Sequence, residues 1–107
     1  MRVERRGDHW RLIGGPVPPG AAAITIGSVV SVRAAWADDE ELARHEAAHV
    51  EQWRRLGALR FLSRYLGAYL RWRVRGYPHW AAYRRIPLEA EAAWVARRWG
   101  DTGVAPP

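Results

Sequence analysis

The chain has 107 residues, a formal charge of +6, and 17 basic residues that are all arginine. Its length suits a single domain, 1–107, with a modest core, and seven tryptophans in a chain that is 49% apolar exclude a disordered one. The absence of cysteine excludes disulfides and thiolate ligands, so any metal must be held by His, Asp or Glu. The charge is compatible with nucleic acid, an anionic membrane surface, an acidic partner, or nothing beyond solubility. No apolar run approaches the roughly 18 residues of a membrane span. The opening MRVERRGDHW lacks the apolar segment of a secretory signal, which makes a cytoplasmic location the expectation.

Residues 1–8 read as a loose, charged tail. His9 to Ile13 alternates as a short strand does, and GGPVPPG then breaks it. Residues 21–34, AAAITIGSVVSVRA, are rich in β-branched side chains. Gly27-Ser28 fits a two-residue hairpin turn, with one continuous strand carrying a glycine bulge as the alternative. Both readings give a small, mostly antiparallel sheet before the helices begin.

Asp38 to Leu56 is the stretch that carries chemistry. Asp38 with Glu41 makes a capping-box-like start, and the acids at 38–41 suit the positive end of the helix dipole. Leu42, Glu46, His49, Trp53 and Leu56 share one stripe. His45 and His49 stand one helical turn apart on the same face and can reach one ion. Glu46, beside the first of them, can reach a water on that ion. Chance produces this pattern in roughly a few per thousand chains of this length. Its bland counterpart is a pair of interior histidines with Glu46 as their hydrogen-bond partner.

The motif helix should end at Gly57. A second amphipathic helix, about 58–75, has Leu59, Leu62, Leu66, Tyr69 and Leu70 on one side. Arg60, Arg64, Arg71 and Arg75 line another side, either as a solvated face or as a membrane or nucleic-acid surface. Gly67 within it suggests a close packing point. Gly76 and Pro78 precede a short helix across HWAAYRR. Pro87 then opens a last helix with Leu88, Ala92, Val95 and Trp99 inward and Gly100 as its stop, leaving a loose tail at 101–107.

A catalytic zinc site takes three protein ligands and one open position. His79, Glu89, Glu91 and Asp101 are the downstream candidates for the third. Glu89 lies three residues before Ala92 on the same face. The competing role for Glu89 and Glu91 is to complement the helix dipole, worth only a few tenths of a kcal/mol.

The chain resembles a minimal gluzincin, and in particular small bacterial metallopeptidase-like proteins with HExxHxxQ, matched by His45, Glu46, His49 and Gln52. Their later Pro-x-Glu-x-Glu-Ala segment is matched by Pro87, Glu89, Glu91 and Ala92. The likeness covers roughly residues 21–97. It implies an α+β, zincin-like fold: a small sheet, the motif helix, a long amphipathic helix and a C-terminal helix bearing the ligand Glu. It implies Zn²⁺ held by His45, His49 and Glu89, Glu46 as general base, and hydrolysis of a peptide or protein substrate paired along an edge strand. In the related pattern E-x-x-A-D-x-x-A, Glu89, Ala92 and Ala96 match, which favours Glu89 over Glu91. Ala93 replaces the Asp, so support for a ligand histidine must come from elsewhere. His79, Tyr77 and Tyr83 are candidates to stabilise an oxyanion. A different class of function is a zinc-stabilised binding module, its fourth position closed by His79 or Glu91 and its arginine-rich surface turned to an anionic partner.

Overall fold

A computed structural model of the chain describes the backbone of residues 1–102 and the side chains of residues 1–98. Four strands come first: β1 (Arg2–Arg6), β2 (His9–Ile13), β3 (Ala23–Ile26) and β4 (Val29–Val32). The sheet order is β1-β2-β4-β3. β1–β2 and β3–β4 are antiparallel hairpins, and they join through a parallel pairing of β2 with β4. Residues 2–6 are therefore not a loose tail. Their alternation of charge and Val3 is compatible with a strand whose partner, β2, supplies the hydrogen bonds. Gly27 occupies φ 61° in the turn that pairs Ile26 with Val29, so the hairpin holds and the continuous strand does not.

A 3₁₀ turn at Ala34–Trp36 leads to α1 (Glu40–Val74), and α2 (His79–Arg84) and α3 (Pro87–Thr102) follow. The N-cap is Asp39 rather than Asp38: its carboxylate accepts from Leu42 N at 2.9 Å. α3 runs through Gly100 to Thr102, past the expected stop, because one glycine weakens a helix without ending it. The inward role of Trp99, the ligand candidacy of Asp101 and the expected tail at 103–107 lie outside the described residues or side chains.

Gly57 divides α1 into two arms, 40–56 and 58–74. Its φ of 78° and ψ of 162° lie in a region essentially restricted to glycine. In an unbroken helix Trp53 and Phe61 would sit about 12 Å apart along the axis. Their rings instead stack with centroids 4.2 Å apart, so the chain turns back on itself at Gly57. Trp53, Phe61, Ile86 and Leu88 form one buried cluster, with Leu56, Tyr65, Ala68 and Tyr69 packed against it. A second cluster, Ile13, Val32 and Ala37 with Ala23 and Leu42, joins the sheet to the first arm.

The second arm buries Phe61 and half-buries Tyr65, Ala68 and Tyr69, while Leu59, Leu62, Leu66 and Leu70 are exposed. The leucine side of the amphipathic pattern is thus the outer one; only Tyr69 of that set packs inward. Gly67 has nothing within 4 Å of where a Cβ would stand, so it marks no close packing point.

The first arm runs antiparallel to α3. Arg44 Nε donates to Ala96 O at 2.8 Å near one end, and Gln52 Nε2 donates to Leu88 O at 2.9 Å near the other. These two clamps set the register in which the histidines face Glu89.

Candidate metal centre

His45, His49 and Glu89 bring one ligand atom each to within 4.8 Å of one another. Helical spacing puts the two imidazoles together, with ring centroids 4.8 Å apart. Glu89 faces them from the first turn of α3. Its Oε1 lies 2.9 Å from His45 Nε2 and 3.0 Å from His49 Nε2. Donors about 2.0–2.2 Å from a tetrahedral zinc would stand roughly 3.3 Å apart. Both separations fall within a few tenths of an ångström of that.

Gln52 decides which nitrogen of His49 faces the cluster. Its Nε2 lies against two oxygens that can only accept, Leu88 O and Glu91 Oε1 at 3.0 Å, so that end of the amide is the NH₂ group. Its Oε1 must therefore face His49 Nδ1, at 2.8 Å, and that nitrogen must carry a proton. In a neutral His49 the lone pair is then on Nε2, pointing at Glu89 Oε1. Two acceptor atoms this close need a proton or a cation between them. The donor chemistry fits a divalent ion such as zinc: imidazole nitrogens, a carboxylate oxygen, and an acceptor fixing the tautomer from behind.

Without such an ion the cluster favours a proton on His49. Burial by itself lowers the proton affinity of His49, but hydrogen bonding to Glu89, the charges of Glu89 and Glu46, and Gln52 outweigh it and raise the pKa. Burial pushes Glu89 the opposite way, yet His45, His49 and Tyr65 hold its carboxyl well below the usual carboxylate range.

Two tyrosines complete the surroundings. Tyr65 Oη donates to Glu89 Oε2 at 2.5 Å. In an unbroken helix Tyr65 would lie about 24 Å along the axis from His49. The fold at Gly57 brings their ring centroids to 6.5 Å. Tyr83, on α2, also borders Glu89 and Tyr65. Burial first, and then the Glu89 charge, push both phenols above their ordinary range, so both remain protonated donors.

Glu46 is buried beside the cluster, close enough for its charge to act on His49, and its Oε2 accepts from Thr25 Oγ1 on β3. It does not serve as the hydrogen-bond partner of the histidines; Glu89 and Gln52 do. Glu91 is exposed and bonds Gln52 and Arg55, outside the ligand group. His79 accepts or donates at Nδ1 to Tyr69 Oη, 2.8 Å away, and Tyr77 packs against Trp72 and Arg85. Of the oxyanion candidates, Tyr83 alone borders the cluster. Tyr65 was not singled out from the sequence, and nothing short of the turn at Gly57 indicates it.

No protein family, curated protein or solved structure matches this chain.

Proposed function

We propose that this protein is a minimal gluzincin-like, zinc-dependent metallopeptidase. The observation that carries the reading is the convergence of His45 Nε2, His49 Nε2 and Glu89 Oε1, with Glu46 on the same helix immediately beside the first of them. Zinc, if held by these atoms, would supply Lewis-acid polarisation of a scissile carbonyl and would acidify water.

The chain's own residues do the rest. Glu46 takes the proton as the water oxygen attacks the carbonyl carbon. It delivers that proton to the amine nitrogen as the C–N bond breaks. Thr25 occupies one carboxylate oxygen of Glu46 and leaves the other for this exchange. Tyr65 fixes the far oxygen of Glu89, so the near one stays turned to the histidines. Tyr83 is a protonated donor beside the cluster and suits an oxyanion that develops there. Gln52 supplies the outer support for which the Ala93 substitution left no counterpart.

β3 is at one end of the strand order and Thr25, within it, touches Glu46. An extended peptide added to that edge would pass beside the general base. The binding-module reading has less support: neither His79 nor Glu91 joins the candidate ligands, and among the described residues the group has three members.

The test is elemental analysis of purified protein together with cleavage of a peptide library. About one zinc per chain and cleavage that is lost in Glu46→Gln, with zinc and fold retained, is the expected result. A folded protein without metal, or unchanged turnover in that variant, overturns the proposal.

A further inference from the structure

The second arm of α1 has three faces, separated by the 100° step of a helix. Phe61, Tyr65, Ala68 and Tyr69 pack inward. Arg60, Arg64, Arg71 and Arg75 form an exposed flank. On the remaining third stand Leu59, Leu62, Leu66, Leu70 and Val74, with exposures of 82%, 43%, 52%, 59% and 86%. These five span about 22 Å along the axis and an arc of roughly 120°. Single exposed leucines are ordinary, but five large apolar side chains in one arc, interrupted only by Ser63 and Arg73, mark a surface that something covers.

Charge identifies the covering. Residues 52–88 contain nine arginines and neither aspartate nor glutamate. Arg54 and Arg55 reach carboxylates outside that segment. Arg60, Arg64, Arg71, Arg73, Arg75, Arg84 and Arg85 form no ion pair among the described residues. Three of them crowd one ring, with Arg71, Arg75 and Arg85 at 5.8, 5.2 and 5.8 Å from the centroid of Trp72. Like charges gathered this closely favour an anionic surface opposite them. Trp80, 62% exposed, shares an open cleft with Arg84 and Arg85 and extends the basic aromatic surface.

We infer that the second arm seats on an anionic phospholipid bilayer. The leucine face enters the headgroup boundary and the flanking arginines meet lipid phosphates, their stems lying along the apolar strip. A second copy would set this arginine-rich, acid-free segment against itself. A nucleic acid would use the arginines and leave the leucines in water. The inference is independent of the metal centre.

Co-sedimentation of the full chain with vesicles of phosphatidylcholine, with and without phosphatidylglycerol, tests it. Binding is expected with the anionic vesicles and should fall at least about tenfold in the Leu59→Ser/Leu66→Ser/Leu70→Ser variant. Because the three side chains are exposed, that variant should keep its far-ultraviolet circular dichroism. A parallel loss is expected in Arg60→Gln/Arg64→Gln/Arg71→Gln. Three results would overturn the inference: no binding by the wild type, binding indifferent to anionic lipid, or binding unchanged by the serine substitutions, which would reduce it to adsorption by net charge. Concentration-dependent self-association that needs the leucines, or nucleic-acid binding that outcompetes the vesicles, would equally replace the bilayer with another occupant.

Discussion

Gln52→Ala separates ligand orientation from ligand identity. Gln52 is 1% exposed, touches no expected metal position and makes three hydrogen bonds, to His49 Nδ1, Leu88 O and the Glu91 carboxylate. Truncation leaves His49 Nδ1–H without its buried acceptor and frees the ring to rotate or change tautomer. Loss of such an orienting partner costs about 10–100-fold in metal affinity. One buried donor, His49 Nδ1–H, also loses its partner at about 1–3 kcal/mol, unless water replaces it, while Leu88 O keeps the intrahelical bond of its own helix. Losing the interhelical bond to Leu88 O adds roughly 0.5–1.5 kcal/mol, so a stability loss of about 1.5–4.5 kcal/mol is expected. A competition titration against a chelator reads the affinity, and urea unfolding of the metal-free protein reads the stability. Zinc affinity within about threefold of wild type, in a variant that is folded under the assay conditions, would refute the tautomer argument. The pattern in which stability falls but affinity does not would leave Gln52 as a clamp alone.

Glu89→Ala should weaken zinc far more than Glu91→Ala in the same titration. Glu89 Oε1 lies among the candidate ligand atoms, whereas Glu91 reaches the cluster only through Gln52; equal or reversed losses would show that the third ligand is misassigned. Gly57→Ala forces a side chain into φ 78°, ψ 162°, and should destabilise by about 1–3 kcal/mol in chemical denaturation. Since nothing lies within 4 Å of the added Cβ, an unchanged midpoint would mean that the turn is not held in that conformation. His9 supplies a pH dependence away from the candidate metal centre. Burial, then Arg11, Arg6 and Arg5, lower its pKa below 6.5, despite Asp8 at 2.9 Å, a carboxylate also engaged by Arg54. The unfolded chain then takes up the proton first as the pH falls, so this contribution to stability is full above 6.5 and is lost on descending through the lowered folded value. Melting temperatures from about pH 8 to about pH 5 should drop more steeply in wild type than in His9→Gln; parallel curves would contradict it.

Much of the candidate site was legible because its parts are local. The turn that places His49 over His45 is a property of helical pitch, and so is the stripe that turns Glu46, Trp53 and Leu56 to one side. Pro87 and the apolar stripe of α3 likewise located the helix that bears Glu89. Hairpin chemistry at Gly27-Ser28 was readable for the same reason: one glycine in the left-handed region determines the local path.

Other features depend on what lies opposite, and no local pattern carries that. RVERR looked like a solvated tail because one side of β1 faces solvent and its hydrogen bonds come from β2. The second arm has two apolar faces, aromatic and aliphatic, and periodicity by itself does not say which is covered. Trp53 chose the aromatic one by stacking on Phe61, which left the leucines outside. The same fold at Gly57 delivered Tyr65 to Glu89, a role invisible from its place in the chain.

The sequence by itself determined the α+β order of elements, the helical juxtaposition of His45 and His49, the break at Gly57 and the surplus of arginine. These follow from backbone stereochemistry, side-chain period and composition, which act over a few residues or need no geometry at all. Tertiary structure decided the parallel join of β2 to β4, the partners of Glu46, the tautomer imposed on His49 and the face of the second arm that meets solvent. Each of these is a contact between segments distant in the chain, and its energy exists only once packing has brought both sides together.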